Sequence, residues 1–149
     1  MSNNFIHPSQ LSGLKFKSTS DAGTVLTHII HSGWSKERTT STLAFNISQF
    51  FPSLNHHILV LILEKAGLSP KVMNFFANYL IQRSTKYLWN DLSSLSFKVN
   101  IGVSQGSALS PILSTLYLSP LIYIIEKRFK NLNLPISILS FIDDGLFIV

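Results

Sequence analysis

The sequence of 149 residues has no cysteine and few charged side chains. Without cysteine it has neither a disulfide framework nor a thiolate metal site. Charged residues make up 13% of the chain, against about 25% in an average soluble domain, so we expect it to pack against other protein segments. The net charge of +5 favours a polyanionic partner, although the lysines and arginines form no run.

One long uncharged segment raises the question of a membrane span. No charged residue occurs between Lys98 and Glu126, and residues 109–125 are largely apolar. Two prolines and several hydroxyl side chains interrupt this segment, and it is short for a helix that crosses a bilayer. We therefore predict a buried helix and no membrane association.

Hydrophobic periodicity and cap signals predict an α+β fold in a single domain, 1–149. The predicted helices cover 21–33 with Ser20 or Asp21 as the cap, 54–66, a stretch from Ser69-Pro70 to about Gln82, and 111 to about 130. The predicted strands cover 40–47, a hairpin of 84–89 and 95–99 around Asn90-Asp91, and a final hairpin of 136–142 and 146–149. Residues 101–110 are predicted to form a loop.

Two adjacent acids, Asp143 and Asp144, stand inside the apolar run 138–149. Asp144-Gly145 is a strong hairpin-turn signal between β-like segments. A hairpin this apolar should be buried, and adjacent carboxylates repel one another there. A bound cation would relieve that repulsion, and all-oxygen ligands suit Mg²⁺. The alternative is a solvated turn between two core strands, because Asp and Gly are common turn residues.

Four segments follow one another along the chain in a recognisable order. They are QLSGLKFKSTSDA from Gln10, LAFNISQFFPSLNH from Leu43, GVSQGSALSP from Gly102 and FIDD from Phe141. The third is very similar to the motif Gly-x-x-Gln-Gly-x-x-x-Ser-Pro, and the fourth to the aromatic-x-Asp-Asp box. Together they resemble the reverse transcriptases, most closely those of non-LTR (LINE-like) retrotransposons.

The resemblance implies a polymerase-palm-like antiparallel sheet with helices packed on one face. The fold would be partial, because the start of the fingers, the later palm motifs and the thumb are missing from the 149 residues. The implied activity is that of an RNA-directed DNA polymerase, a nucleotidyltransferase. Its partners would be an RNA template, a DNA primer, deoxynucleoside triphosphates and the missing fingers and thumb segments. Its location would be intracellular, nuclear or cytoplasmic.

Phosphoryl transfer depends on positioning and charge neutralisation. Two metal ions about 4 Å apart can hold the attacking and leaving oxygens. By resemblance, Asp143 and Asp144 are the catalytic metal ligands, together with the side chain at position 46 and the backbone carbonyl of Ile47. The ions would be Mg²⁺ or Mn²⁺.

Three further residues carry nucleotide or template roles by resemblance. Phe51 would stack under the incoming sugar and exclude a 2′-hydroxyl, whereas Phe50 is expected in the core. Gln105 and Gly106 would lie against the template base and the incoming nucleotide, where glycine permits close backbone approach. Core packing is the alternative for Phe51, and a helix-capping loop is the alternative for Gln105 and Gly106.

Position 46 departs from the family, which has a metal-bridging Asp where this chain has Asn46. Asparagine keeps one ligand oxygen but loses the charge, so we expect weak metal binding and a catalytically defective chain. Three other interpretations remain open. They are a non-catalytic remnant that binds nucleic acid, a translated pseudogene, and a group II intron maturase of the same fold.

Overall fold

The computed structural model describes residues 5–81 and 83–149. They form two compact units. The helical unit consists of Gln49–Ser110, and the sheet unit consists of the described residues up to Ser48 together with Pro111–Val149. Along the chain the elements are α1 (Thr19–Trp34), β1 (Thr42–Asn46), α2 (Phe50–Ser53), α3 (His56–Lys65), α4 (Pro70–Leu80), β2 (Ser84–Thr85), β3 (Leu88–Trp89), β4 (Leu92–Ser93), β5 (Phe97–Lys98), α5 (Ser110–Asn131), β6 (Ser137–Phe141) and β7 (Asp144–Ile148).

The sheet unit is built on one antiparallel sheet with the strand order β1-β7-β6. β1 lies antiparallel beside β7 of the final hairpin, as a metal site shared by position 46 and Asp143-Asp144 requires, in a register that sets Asn46 opposite Asp144. On one sheet face, Leu139 and Ile148 form a buried cluster with Leu11. Side chains of α1 complete that cluster, namely Ala22, Leu26 and Ile29.

Helix α5 contributes to the other side of the sheet. Phe129 of α5 contacts Phe147 edge-on, with ring centroids 5.8 Å apart, and Phe147 stacks on Phe45. The α+β class, an antiparallel sheet with helices packed on it, is confirmed. Helical side chains reach both faces, where one was expected, because alternate positions of β7 are apolar on both sides. Among residues 5–81 and 83–149, no helix is long and apolar enough to cross a membrane.

The segment before α1 is docked on α5 through a buried histidine. His7 accepts the Ser9 N–H at Nδ1 (3.1 Å), so its proton sits on Nε2, which donates to Glu126 at 3.4 Å. Burial raises the pKa of Glu126, but hydrogen bonds from Lys130 and His7 outweigh it and leave this pKa below its usual value. This contact holds the segment that carries Gln10 against α5.

Helix α1 begins earlier than the sequence predicted. The N-cap is Ser18, not Ser20 or Asp21, and Asp21 is the third helical residue of a capping box. The Ser18 hydroxyl and backbone N–H both donate to the Asp21 carboxylate at 2.7 Å and lower its pKa. The carboxylate three residues into the helix therefore selects Ser18 as the cap.

The helical unit contains the predicted helices with shifted ends. Asn55 caps α3 by accepting the Ile58 N–H at 3.1 Å, so this helix starts two residues later than predicted. Pro70 opens α4 as expected, and α4 ends at Leu80. The predicted end near Gln82 lies outside the described residues.

A two-part ribbon follows α4 in the helical unit. β2 pairs with β5 and β3 pairs with β4, and the chain turns at Asn90 and Asp91 as predicted. Asn90 adopts a φ of 51°, a conformation that asparagine tolerates better than most residues. The predicted strand of 95–99 is shortened to Phe97–Lys98, and 92–93 forms the strand nearest the turn.

Gly145 is required for the packing of the sheet. A methyl group added there would collide with the ring of Phe45, its partner in β1. We expect Gly145→Ala to lower the free energy of unfolding by about 1–3 kcal/mol, because Phe45 is stacked on Phe147 and must leave that contact. Gly23→Ala in α1 is the matched control, since nothing lies near its added methyl group. It should raise stability by about 0.5–1 kcal/mol through helix propensity. Urea unfolding of both variants measures this, and equal shifts would contradict the packing argument.

Candidate active site

The candidate acids lie at one end of the sheet, where β1 and β7 pair. Asn46 Nδ2 donates to Asp144 Oδ1 at 2.9 Å. A carboxylate only accepts, so the amide nitrogen must face Asp144. The Ile47 N–H donates to the Asp143 carbonyl at 2.9 Å and extends the pairing past Asn46. The structure thus brings together the four residues that sequence reasoning assigned to one metal site.

The turn of the final hairpin differs from the prediction. Phe141 pairs with Asp144, so Ile142 and Asp143 form the two-residue turn and Gly145 lies inside β7. Asp144-Gly145 is not the turn because the Phe45 ring needs the space over Gly145. Ile142 takes a φ of 59°, which is strained for a β-branched residue.

Gln10 supports this strained turn from inside the sheet unit. Its side chain is fully buried, and Oε1 accepts the Ile142 N–H at 3.3 Å while Nε2 donates to Ser140 Oγ at 3.2 Å. The backbone beside it bonds to Ser140 in both directions, at 2.9 Å each. Sequence reasoning noted Gln10 as the start of a motif but missed this role. A buried glutamine must have hydrogen-bond partners, but the amino-acid sequence does not show which residues these are.

The prediction that the carboxylates are buried is wrong. Asp144 is exposed and Asp143 half-buried, because both acids sit where the sheet ends, beside a first strand that is itself largely exposed. In the described part of the chain no basic side chain forms an ion pair with either acid. The Asn46 N–H donates to the Asp144 carboxylate, which is also open to solvent.

The residues at this sheet end include several possible oxygen donors for a cation. Two carboxylates, an amide oxygen and a backbone carbonyl are hard oxygen donors of the kind Mg²⁺ and Mn²⁺ accept. Over residues 5–81 and 83–149, however, no group of three His, Cys, Asp or Glu side chains could hold a metal ion. Asn46 removes the third carboxylate, and its nitrogen is the end that faces Asp144.

An open pocket of about 270 Å³ lies beside Asp144 in the sheet unit. Its lining is apolar apart from Asp144 and Ser140, and it includes Ala22 of α1 and Ala44 of β1. It carries no basic side chain. The pocket therefore does not suit a triphosphate.

The predicted nucleotide and template residues belong to the helical unit, where Phe51 and the loop 101–110 are joined. The Phe51 carbonyl accepts the Val103 N–H at 2.8 Å. Phe51 is half-buried, whereas Phe50 is buried as expected. Gln105 and Gly106 are exposed in the same loop, and Gly106 has a φ of 83°.

Several groups hold this loop in place. Gly102 packs against the Pro52 backbone so closely that a Cβ would overlap it. The Gly102 carbonyl accepts from His56 Nε2 at 2.6 Å and from Arg83 at 2.9 Å. The second guanidinium nitrogen of Arg83 donates to Ser104 Oγ at 2.5 Å. His56 and Arg83 therefore both support the loop, and the sequence did not reveal the role of Arg83.

Comparison with known proteins identifies the class. The family model for reverse transcriptase (RNA-dependent DNA polymerase) matches residues 1–149. The chain therefore belongs to the reverse transcriptase family. No curated protein matches it.

Two solved telomerase structures share the fold. The chain is 16% identical to apo telomerase from Candida tropicalis, truncated from its C-terminal domain, with a TM-score of 0.69. It is 14% identical, with a TM-score of 0.59, to telomerase from Candida albicans in complex with a TWJ fragment of telomeric RNA. In both cases 89% of this chain is covered, and it spans 29% and 26% of those chains.

Proposed function

We propose that residues 1–149 form the central palm and fingers part of an RNA-directed DNA polymerase of the non-LTR retrotransposon type. The observation that carries this is the pairing of β1 with β7, which sets Asn46 and Asp143-Asp144 at one sheet end in a chain of this family. By family resemblance the whole protein acts on an RNA template, a DNA primer and deoxynucleoside triphosphates inside the cell. The solved telomerase complex with an RNA fragment supports an RNA partner.

Asp143, Asp144, the Asn46 amide oxygen and the Ile47 carbonyl would hold Mg²⁺ or Mn²⁺. When bound, the cation neutralises charge that develops on the reacting phosphate. Asn46 supplies no charge, and its N–H already bonds to Asp144. We therefore propose that the site binds the cation weakly and that nucleotidyl transfer by this chain is defective.

A manganese titration followed by NMR tests the site. Paramagnetic broadening should appear first at the amide signals of Ile47, Asp143 and Asp144. Asp143→Asn should remove it, while Asp91→Asn, in the exposed turn of the helical unit, should leave it unchanged. Broadening that begins elsewhere, or that survives Asp143→Asn, would remove the sheet end as the cation site.

A non-catalytic role in nucleic-acid binding is the second candidate, and one observation favours it. The hydrogen bond from Asn46 to Asp144 stabilises the sheet end without a cation. A chain retained only for binding would tolerate this substitution. The related proposals of a translated pseudogene and of a group II intron maturase would be separated by the genomic sequence that flanks the coding region.

Phe51 is predicted to select deoxynucleotides. The test uses a graft, in which residues 1–149 carrying Asn46→Asp replace the corresponding segment of an active reverse transcriptase. In the graft, Phe51→Ala should raise ribonucleotide incorporation relative to deoxynucleotide incorporation by about tenfold or more, because it opens space for the 2′-hydroxyl. Phe75→Ala, at an exposed aromatic of the same unit, is the control. An unchanged ratio in single-nucleotide extension would assign Phe51 to packing only.

A further inference from the structure

The ribbon of β2–β5 exposes three aromatic rings. Tyr87 is 74% exposed, Trp89 76% and Phe97 43%, and the rings of Tyr87 and Phe97 lie 5.4 Å apart. Trp89 pairs with Leu92 across the ribbon, and Phe97 pairs with Thr85. The rings of Tyr87 and Phe97 are neighbours, and Trp89 follows two residues after Tyr87 at the turn end of the same ribbon; these three exposed rings are here called the aromatic face.

Two lysines flank the ring residues in the sequence of the ribbon. Lys86 precedes Tyr87 and Lys98 follows Phe97, and Asp91 is the one acidic residue in the sequence from 83 to 99. Both lysines are exposed. The strands lie about 5 Å apart, so the long lysine side chains can reach the ribbon edges. Exposed rings beside cations complement a single-stranded nucleic acid, whose bases stack while its phosphates meet the lysines.

Arg83 fixes the root of the ribbon to the loop that carries Gln105 and Gly106. Its backbone carbonyl accepts the Val99 N–H at 2.8 Å, and its guanidinium bonds to Gly102 and Ser104. The guanidinium also lies 5.7 Å from the ring centre of Tyr79. A ribbon held at its root presents its rings at a lower entropic cost than a free loop.

We propose that the aromatic face is a stacking surface for single-stranded nucleic acid. If the proposed function holds, the bound nucleic acid is the unpaired part of the template. Only this identification of the ligand as the template rests on the proposed function. Stacking itself requires neither the metal site nor Asn46. The lysines beside the rings favour a polyanion over an apolar protein partner.

Tryptophan fluorescence reports on the surface directly. The chain has two tryptophans, and Trp34→Phe leaves Trp89 as the only one. Titration of this variant with a short single-stranded oligouridylate should quench Trp89 by base stacking. A duplex RNA at the same nucleotide concentration should quench it much less, because its bases are not free to stack.

Two substitutions at Trp89 separate stacking from apolar contact. Trp89→Leu should weaken oligouridylate binding by about 5- to 100-fold, whereas Trp89→Phe should stay within a few-fold of the parent. Leu95→Ala, at a side chain 92% exposed in the same ribbon, should change little. Lys86→Gln with Lys98→Gln should make the affinity less dependent on salt. Fluorescence anisotropy of a labelled oligouridylate measures all of these, and the changed residues are exposed, so each variant keeps its core.

The results overturn the proposal in three ways. Unquenched Trp89 at saturating oligouridylate, equal affinities for Trp89→Leu and Trp89→Phe, or no binding at all would each exclude the stacking surface. Concentration-dependent self-association that Trp89→Leu abolishes would assign the ribbon to a protein partner instead. RNA binding with Trp89 unaffected would leave the polymerase proposal intact, while stacking without manganese binding at Asp143 would count against the polymerase proposal alone.

Discussion

Asn46→Asp is expected to make the stability of the protein depend on Mg²⁺. In the native sequence the Asn46 amide donates to Asp144 at 2.9 Å and needs no cation. The substitution replaces that donor by a second carboxylate directly opposite the first, in the register of β1 and β7. Like charges in opposed positions of a sheet repel. Without metal we therefore expect a loss of about 1 kcal/mol, because the pair is exposed and solvent screens it.

Added Mg²⁺ should reverse this loss. Three carboxylates then converge on one cation, so affinity should rise by about tenfold or more over the native chain. Because the folded state binds metal and the unfolded chain does not, unfolding should shift to higher temperature as Mg²⁺ is raised. Thermal unfolding with and without Mg²⁺, and calorimetric titration, give the two readouts.

Asn90→Asp provides the matched control for this substitution. It creates a second pair of adjacent acids, with Asp91, in the exposed turn of the ribbon of β2–β5. It adds the same charge without a third carboxylate from a neighbouring strand. If Asn90→Asp responded to Mg²⁺ as strongly as Asn46→Asp, the response would reflect net charge and not the sheet-end site.

The sequence predicted the strands because their signals are local: apolar, β-like residues recur in 40–47 and in 136–149. The pairing of the first strand with the final hairpin was expected for another reason, since position 46 and Asp143-Asp144 can share one metal site only if they are neighbours in space. The register of Asn46 opposite Asp144 agrees with that expectation. Pro70 is again a local signal, because its ring suits the first helical position.

The sequence did not predict the turn, because the turn depends on contacts between distant residues. Asp-Gly is a strong turn signal taken alone. Here the Phe45 ring occupies the space over Gly145, and buried Gln10 binds the Ile142 N–H, so the turn moves to Ile142-Asp143. The exposure of Asp144 was missed for a similar reason, since hydropathy along the chain does not show where a sheet ends.

The graft is expected to synthesise DNA only when it carries Asn46→Asp. With Asn46 retained, extension of a DNA primer on an RNA template should fall by about 10²-fold or more, because position 46 then lacks the carboxylate charge that would help to stabilise the transition state. The effect should appear in kcat, since the substitution changes charge stabilisation more than nucleotide contacts. Single-turnover primer extension at saturating nucleotide measures it.

Two controls make the result specific. Asp143→Asn in the active graft should abolish extension, because it removes a carboxylate that Asn46→Asp cannot replace. Gln10→Ala should lower extension as well, since the Ile142 N–H then loses its acceptor and the turn that carries Asp143 is less firmly held.

Raising the Mn²⁺ concentration should partly rescue extension by the Asn46 graft if weak metal occupancy is the defect. Templated, metal-dependent synthesis by the Asn46 graft at the rate of the Asn46→Asp graft would show that the amide at position 46 supports catalysis. In that case the hydrogen bond to Asp144 would be a resting contact that the substrate replaces.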